Sequence, residues 1–187
     1  MSKVWVLSLI ARTKENDVKP VNNDGKRRNV LNRIVYTNKI DELDTDIAIL
    51  KSIGELTIPN FSECVWRAYV SVNSRDIRKT NKMLIGKIID SAYDNIDVHV
   101  NNIYKKILMK ENHRADKLML IDIDSTDASV ISLVLFRLSG VTKIHHDLSR
   151  ATPNGQHLVV DGFDVRILDD ISSVEVKRNA LVFLKMI

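Results

Sequence analysis

Asp122 and Asp124 close the apolar run Leu118-Met-Leu-Ile-Asp-Ile-Asp124. In a strand, residues i and i+2 point to the same side, so both carboxylates project together from its C-terminal end. Oxygen ligands in that arrangement suit a divalent cation. The plainer reading makes Asp122 a strand-end polar residue and Asp124 the start of a solvated loop. Further on, Thr152-Pro-Asn-Gly-Gln-His157-Leu-Val-Val-Asp161 reads as a tight turn launching a strand with a histidine near its start. Alone, His157 is an ordinary strand histidine. The neighbouring His145-His146-Asp147 offers at most one ring to any shared site, because adjacent strand residues face opposite ways. His99 and His113 lack partners at metal-ligand spacing and are assigned to the surface.

A second set of residues suits phosphate or base contacts. Cys64 to Asn73 is strand-like by its β-branched and aromatic content. Trp66, Ala68, Val70 and Val72 fall on one face, and Arg67, Tyr69, Ser71 and Asn73 on the other. A cation, a ring and an amide in a row suit a nucleotide or a nucleic-acid backbone. An exposed polar face on a one-sided sheet is the alternative. Ser74 or Asp76 then caps a helix. Arg75 beside that helix start is an anion-binding candidate, and Arg78, Lys79, Lys82 and Lys87 make the helix basic. Lys26-Arg27-Arg28 is a phosphate candidate or simply a solvated loop.

The elements that must position these groups follow from periodicity. Val4 to Ala11 is a strand buried on both faces. Arg12 to Arg28 is a polar connection, and Asn32 to Thr37 the returning strand. Ile40, Leu43, Ile47, Ile49 and Leu50 favour a helix broken near Gly54 and Pro59. Ile77, Leu84, Ile85, Ile88, Ile89 and Ala92 form the buried stripe of the next helix, and Val98 to Lys110 continues helically. Ala128 to Leu138 is a helix capped by Asp127 and ended by Gly140. Val141 to Ala151 and Gln156 to Val160 read as hairpin strands about the Pro153-Asn154-Gly155 turn. Phe163 to Leu168 and Ala180 to Met186 are further strands, with Ile171 to Arg178 a short helix or loop between them.

The 187 residues, 44% of them hydrophobic, suffice for one domain with a full core. The fold class expected is α+β, one domain over 1–187 with N-terminal strands and a helix over 1–60. A net charge of +4 is compatible with a phosphate-bearing partner. Cys64 is the only cysteine, which excludes a disulfide framework or a cysteine zinc cluster. The Val4–Ala11 run is too short for a membrane span and has no signal-peptide cleavage pattern. No membrane association is expected, and the expected location is cytoplasmic.

A hydrophobic strand ending Asp-x-Asp, then a helix, then a small-residue turn ending Gly-x-His on a strand resembles the archaeo-eukaryotic primase superfamily. It is also similar to small phage-encoded proteins that pair Arg-x-Tyr-x-x-x-Asn, here Arg67, Tyr69 and Asn73, with those two motifs. The resemblance covers about residues 64–187 and implies a primase-like core there. It implies a mixed, largely antiparallel sheet of the RRM or ferredoxin-like kind, packed by helices. It further implies that Asp122 and Asp124 bind Mg²⁺ or Mn²⁺ and that His157 contacts nucleotide phosphates, with Asn154 and Gly155 in the same turn. A third acid on a later strand should complete the metal set. Ala180 to Met186 contains none, so Asp161 and Asp164 stand in, with Asp164 the one carried forward.

Three functions follow as expectations. One is a metal-dependent nucleotidyltransferase or primase-like enzyme. Another is a non-catalytic nucleic-acid-binding protein using Arg67, Tyr69, Arg75, Arg78 and Lys82. The third is a phage factor whose partner is a host protein, placing it in the cytoplasm of an infected cell.

Overall fold

Leu7 and Leu9 belong to the larger core, on a strand that carries buried side chains on both faces. That strand is β1 (Lys3–Ile10). The computed structural model describes residues 3–12, 15–93, 100–108, 114 and 116–187; His99 and His113 lie outside them. β2 (Val30–Val35) and β3 (Arg67–Ser71) flank β1 antiparallel, and β9 (Leu181–Met186) pairs with β3. A two-residue strand, β4 (Arg75–Asp76), pairs with the start of β1. The second sheet runs β6-β7-β5-β8, with β5 (Met119–Ile123), β6 (Arg150–Thr152), β7 (Gly155–Val160) and β8 (Val174–Lys177), every pairing antiparallel. The chain is α+β, as expected, and its strands divide between two antiparallel sheets.

Helix α1 (Ile40–Thr57) lays Leu43, Ile47 and Leu50 on the first sheet, while Ile49 stays exposed. Burying each of those three side chains contributes roughly 1.5–3 kcal/mol. The helix does not break at Gly54. A Cβ there would come within 2.2 Å of the Phe61 ring, so the glycine admits that ring. α2 (Ile77–Tyr93) is capped by Asp76, whose carboxylate accepts from the Arg78 and Lys79 amides. α3 (Val100–Leu108) packs against it and buries Ile107 and Leu108. The expected buried stripe of α2 is formed only in part among the described residues: Ile77 packs against Val4, Val6 and Leu108, whereas Ile85 and Ile89 are 57% exposed. α4 (Ala128–Leu138) matches its sequence reading, with Asp127 accepting from the Ser129 amide at 2.8 Å. Gly140 follows with φ +77°, the left-handed conformation expected at a helix end.

The second sheet has two different faces. Ile121, Ile123, Leu158 and Val160 pack with Val134 and Leu138 of α4. The opposite face sends Leu120 and Val159 into the core of the first sheet, beside Leu7, Val70 and Val182. Three expected elements differ. Phe163 to Leu168 is not a strand, because Asp164 caps a 3-10 turn over Val165–Leu168. Val141 to Ala151 is mostly turn, with pairing confined to β6 and an isolated Ile144–Val160 bridge. Ile171 to Arg178 contains β8 in place of a helix. Its Val174 and Val176 face the α4 core while Glu175 and Lys177 face the other way, the period-2 pattern of a strand.

Candidate active site

Between the two sheets lies a cleft of about 550 Å³. The strand register fills it. Asp122 is directly opposite His157 on β7 and opposite Glu175 on β8, so the three side chains share one face. Asp124, one step past the end of β5, lines the same cleft and is exposed. The hairpin turn is pressed onto this strand end. A Cβ on Gly155 would lie 1.8 Å from the Ile123 carbonyl oxygen and 2.8 Å from the Ser125 amide nitrogen. Gly155 is therefore required by contact between two backbones. It sets the distance between the Asp-x-Asp loop and the histidine strand. Asn154 sits on the turn at the cleft wall.

Asp122 is only 16% exposed and held from two sides. Its Oδ1 is 3.3 Å from His157 Nε2, and its Oδ2 accepts from Lys177 Nζ at 2.6 Å. The His157 hydrogen bond first, and Lys177 after it, hold the Asp122 carboxyl well below the usual range, against the opposing effect of burial. His157 accepts the Phe183 backbone N–H at Nδ1, 3.1 Å away, which leaves the ring proton on Nε2, facing Asp122. Both ring nitrogens are engaged. In this arrangement the histidine orients the carboxylate, and its one ring proton is directed at Asp122, where the resemblance implied a phosphate.

Lys177 also approaches Glu175 at 2.9 Å. Burial lowers the pKa of Lys177, but the hydrogen bonds to the two carboxylates outweigh it, and the net direction is upward. Arg67 and Tyr69 line the opposite wall, as their strand face predicts. Arg67 is fixed by Glu15, with Nε–Oε2 at 2.8 Å and Nη2–Oε1 at 2.6 Å, and lies 5.7 Å over the Phe183 ring. Tyr69 meets Phe183 edge-on at 5.8 Å. Arg12, on the cleft wall, reaches Glu15 only at 3.7 Å.

Other candidate residues lie elsewhere. Asn73 is 1% exposed, and its amide is consumed by backbone: it donates to the Leu118 and Arg178 carbonyls and accepts from the Leu118 amide. It clamps the end of β3 to the start of β5 and has nothing free for a nucleotide. Arg75 is also 1% exposed and donates to Asn179 Oδ1 at 2.6 Å. It lies inside the protein, away from any solvent-borne anion, and burial lowers its pKa. Asp164 chelates Arg166 and caps its own turn, outside the cleft. Asp161 pairs with His145 at 3.0 Å, also outside it. The acid that does share the cleft with the aspartates is Glu175. The sequence reading missed it together with Lys177 and Arg12. The Val-Glu-Val-Lys alternation was the available signal for the first two.

Asp122, Asp124 and Glu175 bring carboxylate oxygens, the ligand type of a hard divalent cation, into one cleft. No three acidic, histidine or cysteine groups among the described residues already converge on a metal position. Lys177 stands between Asp122 and Glu175 instead.

No protein-family model, curated protein or solved structure matches this chain.

Among the described residues, no helix is long and apolar enough to cross a membrane.

Proposed function

We propose that the cleft binds a nucleoside triphosphate with Mg²⁺ or Mn²⁺ and carries out nucleotidyl transfer of the primase-like kind. The observation that supports this most is the strand register, which gathers Asp122, His157 and Glu175 on one face beside Asp124. Asp122, Asp124 and Glu175 would hold the cation. When bound, such a cation activates a hydroxyl nucleophile and neutralises the departing pyrophosphate. His157 keeps Asp122 oriented and ionised. Arg12 lines the cleft and is only loosely paired, so it is a cation available to a phosphate, whereas Arg67 is committed to Glu15. Tyr69 and Phe183 give the same cleft an aromatic wall suited to a base or sugar.

The test is incorporation of labelled nucleotide with single-stranded DNA and Mn²⁺. Wild type should form product, and Asp122→Asn should form none while still unfolding cooperatively, at a lower melting temperature that reflects the lost contacts to His157 and Lys177. Equal product from both proteins would overturn the proposal.

Binding of nucleic acid without catalysis is a second reading. It is favoured by the exposed Arg78, Lys79, Lys82 and Lys87 on α2. It predicts affinity that falls steeply with salt and is indifferent to Mn²⁺.

A further inference from the structure

We propose that Lys177 is a resident counter-ion of the cleft, which a divalent cation displaces from Asp122 and Glu175 and which then serves a substrate phosphate. The proposal rests on the reading of the cleft given above. The Lys177 ammonium lies 2.6 Å from Asp122 Oδ2 and 2.9 Å from Glu175 Oε2, in the space a cation shared by those two carboxylates would take. The mobile partner is the lysine. Asp122 is 16% exposed and braced by His157 from the other side, whereas the Lys177 side chain is 35% exposed on a flexible stem.

Charge gives the direction of exchange. A single ammonium faces Asp122 and Glu175, and a divalent cation neutralises that pair of carboxylates better than one positive charge does. With such a cation held by those carboxylates, the ammonium would be repelled, and an incoming phosphate would be the anion to receive it. Arg67 cannot play this part, because Glu15 grips it bidentately and it is 10% exposed. An ordinary surface ion pair would leave metal and phosphate binding alike unchanged on its removal.

The experiment titrates Mn²⁺ alone into the full chain, then pyrophosphate in the presence of excess Mn²⁺, for wild type, Lys177→Gln, Lys177→Arg and Asp122→Asn/Asp124→Asn. Lys177→Gln should bind Mn²⁺ roughly ten-fold more tightly, through loss of a competing charge at close range. It should bind pyrophosphate roughly ten-fold more weakly, through loss of one charge-assisted hydrogen bond. Lys177→Arg should stay near wild type in both. The opposite signs are the signature of the exchange, and cooperative unfolding of every variant above the assay temperature separates it from misfolding. Mn²⁺ affinity that is unchanged or weaker in Lys177→Gln overturns the proposal, even where the double aspartate variant loses Mn²⁺. Mn²⁺ binding that persists at wild-type strength in the double variant overturns the carboxylate reading, and the lysine proposal with it.

Discussion

Replacing Gly155 with alanine should damage this protein far more than any change of polarity at that position suggests. The new methyl group would stand 1.8 Å from the Ile123 carbonyl oxygen, 3.0 Å from its carbon and 2.8 Å from the Ser125 amide nitrogen. All three are backbone atoms, so no rotamer change relieves the overlap. The turn must lift from the strand end, and the Ile123–Gln156 and Thr152–Gly155 pairings loosen with it. Overpacking of this kind costs about 3 kcal/mol, at the upper end of its usual range, and a chain of this size should melt about 6–12 °C lower. Gly86→Ala is the internal control. Nothing lies within 4 Å of its added Cβ, and the position is an exposed interior turn of α2. There alanine should stabilise by up to about 1 kcal/mol. Thermal and urea unfolding of the two variants should therefore move in opposite directions. A Gly155→Ala protein as stable as wild type would refute the contact between the hairpin turn and the Asp-x-Asp loop, and with it the basis for placing His157 beside Asp122.

Further expectations concern the residues around the cleft. Asn73→Ala removes three hydrogen bonds to buried backbone and should cost about 2–4 kcal/mol in urea unfolding; a neutral effect on stability would return Asn73 to the list of binding residues. Asp122 has a folded pKa held below its unfolded value of about 3.9. Its contribution to stability is therefore complete above that value and is lost as pH falls below it. Asp122→Asn should flatten the acid limb of the stability curve, and an unchanged limb would show that His157 and Lys177 do not hold the carboxylate. Glu175→Gln should weaken Mn²⁺ binding in calorimetry, whereas Asp164→Asn should leave it unchanged; the reverse order would restore Asp164 as the third acid.

The parts of the site that depend on local pattern were legible in the residue string. Leu118–Asp124 announced a strand ending in two same-face carboxylates, Asp127 and Gly140 bracketed α4, and Pro153-Asn154-Gly155 marked the hairpin. Arg67 and Tyr69 were placed on the cleft-facing side by simple alternation. The failures came where tertiary packing assigns the partner. Asn73 shares its strand face with Arg67, yet the arrival of residue 118 beside it turns its amide into a clamp. Arg75 looked like an anion site at a helix start, but pairing of β4 with β1 carries it into the interior. Glu175 matters because β8 lies beside β5 in one register, and no local feature of Val174–Lys177 states that neighbour. The apolar run on α2 reads as a core stripe by period alone, although nothing among the described residues covers Ile85 and Ile89.

The most direct test of the central claim is calorimetric titration of a nucleoside triphosphate with Mn²⁺ into wild type and into Asp122→Asn/Asp124→Asn. Metal-dependent binding in the wild type that is lost in the double variant is the predicted result. Binding of equal strength in both proteins, or in neither, would contradict a nucleotide site at these carboxylates.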